Sequence, residues 1–366
     1  MRSLISIPLL LLLCGCADFG YYWHSTSGHL ALMNQRVDIE DMLSNDDIDA
    51  HLRQRLQLIQ EIRQFSVEQL GLPDNGSYDS YVQLEKPWVV QNLFAAAEFS
   101  TQLQQWCYPF IGCASYRGYY DETRLQAYIE KLETQGLEIY VGKVPAYSTL
   151  GWFDDPVLSS FIDWPEHRLA GLLFHELTHQ RIYIDDDTTF NESLASAVQQ
   201  VGTELWLRSK NEAEALREML RWLAYRDEVI ALIVSTRAGL TELYASDLDE
   251  TEKRRLKAQR FETARATHDG IAAKHDIPGG FRSWFAGDLN NARIGSVAAY
   301  NSRLAAFIHM LDAHGQDFPA FYRYVEKLAD LEAEARNRCL DAWGESSDFN
   351  PKISPVSCPA RATDGA

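Results

Sequence analysis

The chain has 366 residues, 46% of them hydrophobic and 23% charged, which suits a packed globular protein and argues against a disordered one. Its formal net charge of −18 argues against nucleic acid as a partner, and against anionic lipid headgroups on the protein surface, because an acidic face repels both. The class this sequence predicts is α+β and predominantly helical, with a small sheet ahead of an apolar helix at 169–180 and a helical C-terminal half.

Met1-Arg2-Ser3 is a short basic start, and residues 4–13 form an apolar core too short to span a bilayer, so residues 1–15 read as a signal peptide. The segment Leu13-Cys14-Gly15-Cys16 resembles the bacterial lipobox. Cys16 is the expected lipidated residue, since Gly15 supplies the small side chain required before the cleaved bond and Leu13, before Cys14, is large. Ala17 follows where Asp would favour the inner membrane. By resemblance to Gram-negative sorting rules, this implies an outer-membrane anchor facing the periplasm. Cys107, Cys113, Cys339 and Cys358 remain in the mature chain. In an oxidising compartment they are expected to form disulfides. Three pairings are possible, of which the local one, Cys107 with Cys113 and Cys339 with Cys358, is the simplest.

Residues 21–70 carry helical periodicity, clearest over 52–65. A turn cluster at 71–77 leads into residues 81–94, where two short strands are expected on either side of Lys86-Pro87. Residues 106–113 read as a compact loop, 122–135 as a helix, 137–142 as a strand and 146–153 as another, ending at Asp154-Asp155-Pro156. That last strand runs into Leu169-Ala170-Gly171-Leu172-Leu173-Phe174-His175-Glu176-Leu177-Thr178-His179-Gln180, an apolar helical run for which Asp163 and Pro165 are the expected cap and first-turn residues.

His175-Glu176-Leu177-Thr178-His179 is a zinc-peptidase signature with a physical basis. Residues four apart on a helix lie one turn above each other, so His175 and His179 can place two ring nitrogens on one Zn2+ ion. Zinc supplies Lewis acidity and makes a water more acidic, and Glu176, beside the first histidine but not a ligand, can take that water's proton. Residues 182–184 read as a short strand and 185–189 as a turn, after which Phe190-Asn191-Glu192-Ser193-Leu194-Ala195 opens a second apolar helix. Glu192 is expected in its first turn, as the third ligand. Residues 204–268 read as a helical hairpin with its turn at 246–249, helices resume over 288–314 and 318–343, and residues 344–366 form an extended tail. Residues 16–343 are taken as a single metallopeptidase domain, in which 16–160 hold helices and the small sheet, 161–210 the metal-binding helices and 211–343 the helical part.

The His-Glu-x-x-His and Asn-Glu-x-x-Ala segments together resemble the gluzincin metallopeptidases. The chain as a whole, including its Tyr116-Arg117-Gly118 stretch, is similar to a bacterial family of zinc aminopeptidases carried as lipoproteins. The resemblance implies that His175, His179 and Glu192 are zinc ligands, that Glu176 is the general base and that the substrate is a peptide. Twelve residues separate His179 from Glu192, fewer than in thermolysin-like enzymes, so the second helix must follow quickly. The Gly-x-Met-Glu-Asn segment that holds the substrate amine in aminopeptidase N-like enzymes is missing. Asp154 and Asp155 are the candidates for that task, because a buried ammonium needs a carboxylate partner. Tyr300 is a candidate oxyanion donor, since such donors lie on a late helix in thermolysin-like folds, and Tyr183 is its rival. The alternatives are an endopeptidase using the same site and a non-catalytic envelope lipoprotein acting in binding or assembly.

Overall fold

The computed structural model describes residue 28 and residues 30–108, 112–146, 149, 153–298, 303–345, 358 and 359. The leader, Cys16, Tyr300 and most of the strand expected over 146–153 lie outside the described residues. The first elements are β1 (Val37–Asp38), α1 (Ile39–Ser44) and α2 (Ala50–Glu68). Asp38 and Asp49 start the two helices by accepting backbone N–H groups that have no partner within a first turn. α2 buries Leu56, Ile59, Ile62 and Ser66, the three-and-four spacing of one helix face.

Next come β2 (Ser80–Val82), β3 (Val90–Ala97), β4 (Trp106–Tyr108), β5 (Gly112–Ala114), β6 (Arg117–Tyr119), α3 (Glu122–Glu133), β7 (Leu137–Val144) and β8 (Val157–Leu158). The strands expected around Lys86-Pro87 are present, but they enter different sheets. β2 lies between β1, antiparallel, and β8, parallel, with Tyr81 opposite Val157. β3 is the centre of an antiparallel sheet of order β6-β3-β7, in register from Val90 opposite Val144 to Ala97 opposite Leu137. Both of its faces are covered: Leu93 and Ala95 pack toward Leu125 and Leu132 of α3, and Phe94 and Ala96 toward Ala292. Double burial explains why residues 93–96 of this strand read as an apolar run without alternation. The expected loop at 106–113 is a two-stranded ladder of β4 and β5, in which Cys107 faces Cys113 and the two form a disulfide. Cys339 and Cys358 form the other local disulfide.

The remaining helices are α4 (Glu166–Arg181), α5 (Thr188–Ser209), α6 (Ala213–Ala245), α7 (Glu250–His275), α8 (Arg282–Ala286), α9 (Asn291–Ala298), α10 (Leu304–Ala313), α11 (Phe318–Ala329) and α12 (Ala333–Glu345). The fold is therefore α+β and predominantly helical. Three local readings change. α4 has Pro165 at its N-cap position with no side-chain cap, and Asp163 instead meets exposed His51 at 2.9 Å. The helix expected over 318–343 is broken at 330–332, where Arg336 donates to the carbonyls of Ala329 (3.4 Å) and Leu331 (2.8 Å) and so satisfies acceptors left by the break. Residues 182–184 are not a strand.

α6 and α7 form the expected hairpin, with Asp249 capping α7, around its own apolar cluster of Tyr225, Val229, Ile233, Leu240 and Phe261. Buried Lys257 docks it on the antiparallel sheet by donating to the Glu98 carbonyl (2.8 Å) and pairing with Glu138. Among the described residues no helix is long and apolar enough to cross a membrane.

α4 and α5 cross inside the largest apolar cluster, where Leu169, Leu173, Phe174 and Leu177 meet Leu194, Val198 and Val201. Close approach depends on Gly202, where a Cβ would lie 2.7 Å from Leu70 Cδ1 and 3.1 Å from Phe174 Cδ2. Gly202→Val is expected to lower stability by about 1–3 kcal/mol through overpacking. A denaturation midpoint equal to wild type would show that Leu70 and Phe174 yield freely.

Candidate active site

The site is assembled where α4 meets the start of α5. His175 and His179, one turn apart on α4, bring their Nε2 atoms to 3.2 Å. Glu192 places Oε2 at 3.3 Å from His175 Nε2 and Oε1 at 3.7 Å from His179 Nε2. One ligand atom from each of the three falls within 4.8 Å of the others. Two imidazoles and one carboxylate are a donor set that suits Zn2+ and leaves a coordination position open.

The short connection from His179 to Glu192 works because the side chain of Asn191 folds the loop back. Ile184 N–H donates to Asn191 Oδ1 (2.9 Å), and Asn191 Nδ2 donates to the Ile184 carbonyl (2.7 Å). This amide takes the hydrogen bonds that a neighbouring strand would otherwise supply to Ile184, while Ile182 N–H donates to the Thr178 carbonyl at the end of α4 (3.1 Å). Asp187 caps α5 by accepting from Phe190 N–H (3.0 Å), and Arg336 grips its other oxygen at 2.7 Å. The helix therefore starts at Thr188, which moves Glu192 from the expected first turn into the second.

Glu176 lies next to the cluster and keeps partial solvent exposure although protein surrounds it. Burial pushes its carboxyl up to about 7; the His175 charge opposes the shift, and the Glu192 and Asp155 carboxylates add to it. Burial, helped by the charge of His175, brings His179 down to about 4 against the pull of Glu192. For Glu192 burial acts upward, but the hydrogen bond and charge of His175 outweigh it and hold the carboxyl below its ordinary value.

Asp154 and Asp155 are separated by the fold. Asp155 is buried, accepts Thr149 N–H at Oδ2 (2.9 Å) and lies close enough to Glu176 to raise it. Asp154 is exposed, and its carbonyl accepts from Arg36 (3.0 Å). Both sit in irregular backbone just before β8. Tyr183 is 45% exposed at the rim, its ring 6.2 Å from that of His179, while Tyr300 and Cys16 fall outside the described residues.

Two residues of the site escape the sequence reading. Tyr78 is buried with φ of +64°, a left-handed conformation that a bulky side chain adopts at a cost of about 1–3 kcal/mol. Burial, then the charges of Glu176 and Asp155, push its hydroxyl well above the ordinary value, so the phenol stands near both carboxylates. Its N–H donates to the Asp155 carbonyl (2.7 Å), and Asn75 just before it donates to Gln180 Oε1 of α4 (2.7 Å). The other is Gln199, whose Oε1 lies 3.1 Å from His175 Nδ1. A signal for it exists: Gln199 is seven residues past Glu192, two turns along the same face of α5.

The chain matches the family model described as "Putative aminopeptidase" over residues 20–340, and it belongs to that family. No curated protein and no solved structure matches it significantly.

Proposed function

We propose that the protein is a zinc-dependent aminopeptidase, with residues 16–343 as its catalytic domain, held at the bacterial envelope by a lipid on Cys16. The observation that carries this reading is the convergence of His175, His179 and Glu192 beside the carboxyl of Glu176, in a chain of an aminopeptidase family. When bound, zinc supplies Lewis acidity, which acidifies an attacking water and draws charge from the scissile carbonyl. Glu176 would take the proton from that water and return it to the leaving amine, and the burial that raises its carboxyl in the metal-free site favours the uptake of a proton. Tyr183, on the exposed rim beside His179, is the described tyrosine suited to hydrogen-bond the oxyanion, with Tyr300 as the alternative.

Asp155 supports exopeptidase action. It is a buried carboxylate near the base, and an incoming ammonium group would offset its desolvation as well as its own. The protein is expected to trim single residues from free-amine peptides and to leave N-acetylated ones intact. Asp155→Asn is expected to raise KM for free-amine peptides by about 10-fold or more, the worth of a hydrogen bond to a charged group, with zinc content unchanged. Asp154→Asn, at an exposed position, is expected to change neither. Equal cleavage of acetylated and free peptides at internal bonds would make the enzyme an endopeptidase.

The anchor is tested separately. Cys16→Ser is expected to abolish lipid labelling and to release the protein from the membrane fraction or stall its processing. Normal lipid labelling of this variant would rule Cys16 out.

A further inference from the structure

The fold treats the outer nitrogens of the two histidines differently. His179 Nδ1 is buried and meets no hydrogen-bond partner among the described residues, so on that side the His179 ring is placed by packing, edge-on to His175 at 4.9 Å and to Tyr183 at 6.2 Å. His175 Nδ1, in contrast, meets Gln199 Oε1 at 3.1 Å. An amide oxygen only accepts, so this contact is a hydrogen bond when His175 carries its proton on Nδ1, and the neutral ring then presents a bare lone pair at Nε2. That nitrogen is the one facing Glu192 and His179.

Gln199 can reach His175 because α4 makes room for it. Gly171 precedes His175 by one helical turn, and a Cβ on it would lie 3.2 Å from both Cγ and Nε2 of Gln199 and 3.2 Å from Thr203 Oγ1. These distances are tighter than ordinary contact, so the amide lies across the bare backbone of Gly171. The Thr203 hydroxyl on the other side is held in place by donating to the Gln199 backbone carbonyl (2.6 Å).

We infer that Gln199 is the positioning residue of the metal site: its amide oxygen fixes the tautomer and ring orientation that aim His175 Nε2 at the ion, and Gly171 is the slot that lets it do so. The inference rests on the proposed zinc site and adds to it an outer partner for one ligand. A neutral amide orients the imidazole without adding a negative charge. With Glu192 as the single anionic ligand, the zinc charge is left only half neutralised, which favours polarisation of water and carbonyl over tightest metal binding.

The test measures the zinc dissociation constant of the full mature protein by competition with a chromophoric chelator. Gln199→Ala is expected to weaken zinc binding by about 10–100-fold, the usual cost of losing an outer hydrogen-bond partner. Gly171→Ala leaves Gln199 in the sequence and improves helix propensity, yet it is expected to weaken binding in the same direction by crowding the amide. Gln199→Glu keeps an acceptor and is expected to bind zinc at least as tightly as wild type. In the metal-free protein, at a pH alkaline enough to leave His175 neutral, its ring-nitrogen chemical shifts are expected to report an Nδ1–H tautomer in wild type and a mixture in Gln199→Ala, with little change in Tm. Wild-type zinc affinity in both Gln199→Ala and Gly171→Ala would overturn the inference while leaving the zinc reading intact. A wild-type protein with no zinc affinity would overturn both.

Discussion

Glu176→Gln is expected to retain zinc and to lose kcat by about 10²–10⁴-fold, the usual contribution of a positioned acid–base group. The amide has the shape of the carboxylate and cannot accept a proton from water. None of the three ligand atoms belongs to Glu176, so the cluster of His175, His179 and Glu192 stays whole. Burial and the neighbouring charges of Glu192 and Asp155 disfavour the ionised form of Glu176, so a neutral residue there is not expected to destabilise the protein. Full activity in a variant that holds its zinc would assign the base to another group, and Asp155 and Tyr78 would be the first to examine.

Glu192→Ala is expected to have the opposite signature, loss of metal first and of activity as a consequence. It removes the anionic member of the set and leaves two neutral imidazoles to hold a divalent ion. Zinc affinity is expected to fall by more than the roughly 10–100-fold that follows loss of an outer partner. Excess zinc is then expected to restore part of the activity, which it cannot do for Glu176→Gln. Because Asp187, Arg336 and Asn191 build the start of α5 without Glu192, the helix is expected to survive the substitution. Undiminished zinc content in this variant would remove Glu192 from the ligand set.

What could be read from the sequence is what local spacing encodes. The four-residue step from His175 to His179, the presence of Asn191 and Glu192 near the start of the next helix, the α6–α7 hairpin with its turn at Asp249, and the two disulfides between near neighbours all follow from short separations. Local signals mislead where a tertiary partner replaces them. Asp163 resembled a cap but pairs with His51, residues 182–184 resembled a strand but are bound by Asn191, and the end of α11 is set by Arg336 from the following helix.

The far side of the site was illegible for the same reason. Tyr78 and Asp155 are distant in sequence, and they meet because β2 and β8 pair in parallel immediately beyond them, with Tyr81 opposite Val157. No periodicity within either segment announces that register. Nor does sequence distinguish Asp154 from Asp155; the fold does so by burying one and exposing the other. Gln199 differs in kind, since its place two turns past Glu192 and the glycine one turn before His175 are both visible in the sequence. Only the crossing of α4 and α5 brings the two together.

The most direct measurement is digestion of an unblocked peptide library by the purified protein, read by mass spectrometry, before chelation, after chelation and after stoichiometric zinc is returned. The expected result is loss of N-terminal residues that stops when the metal is removed and resumes when zinc is restored. Absence of cleavage by protein carrying zinc, or cleavage that continues unchanged without metal, would contradict the account.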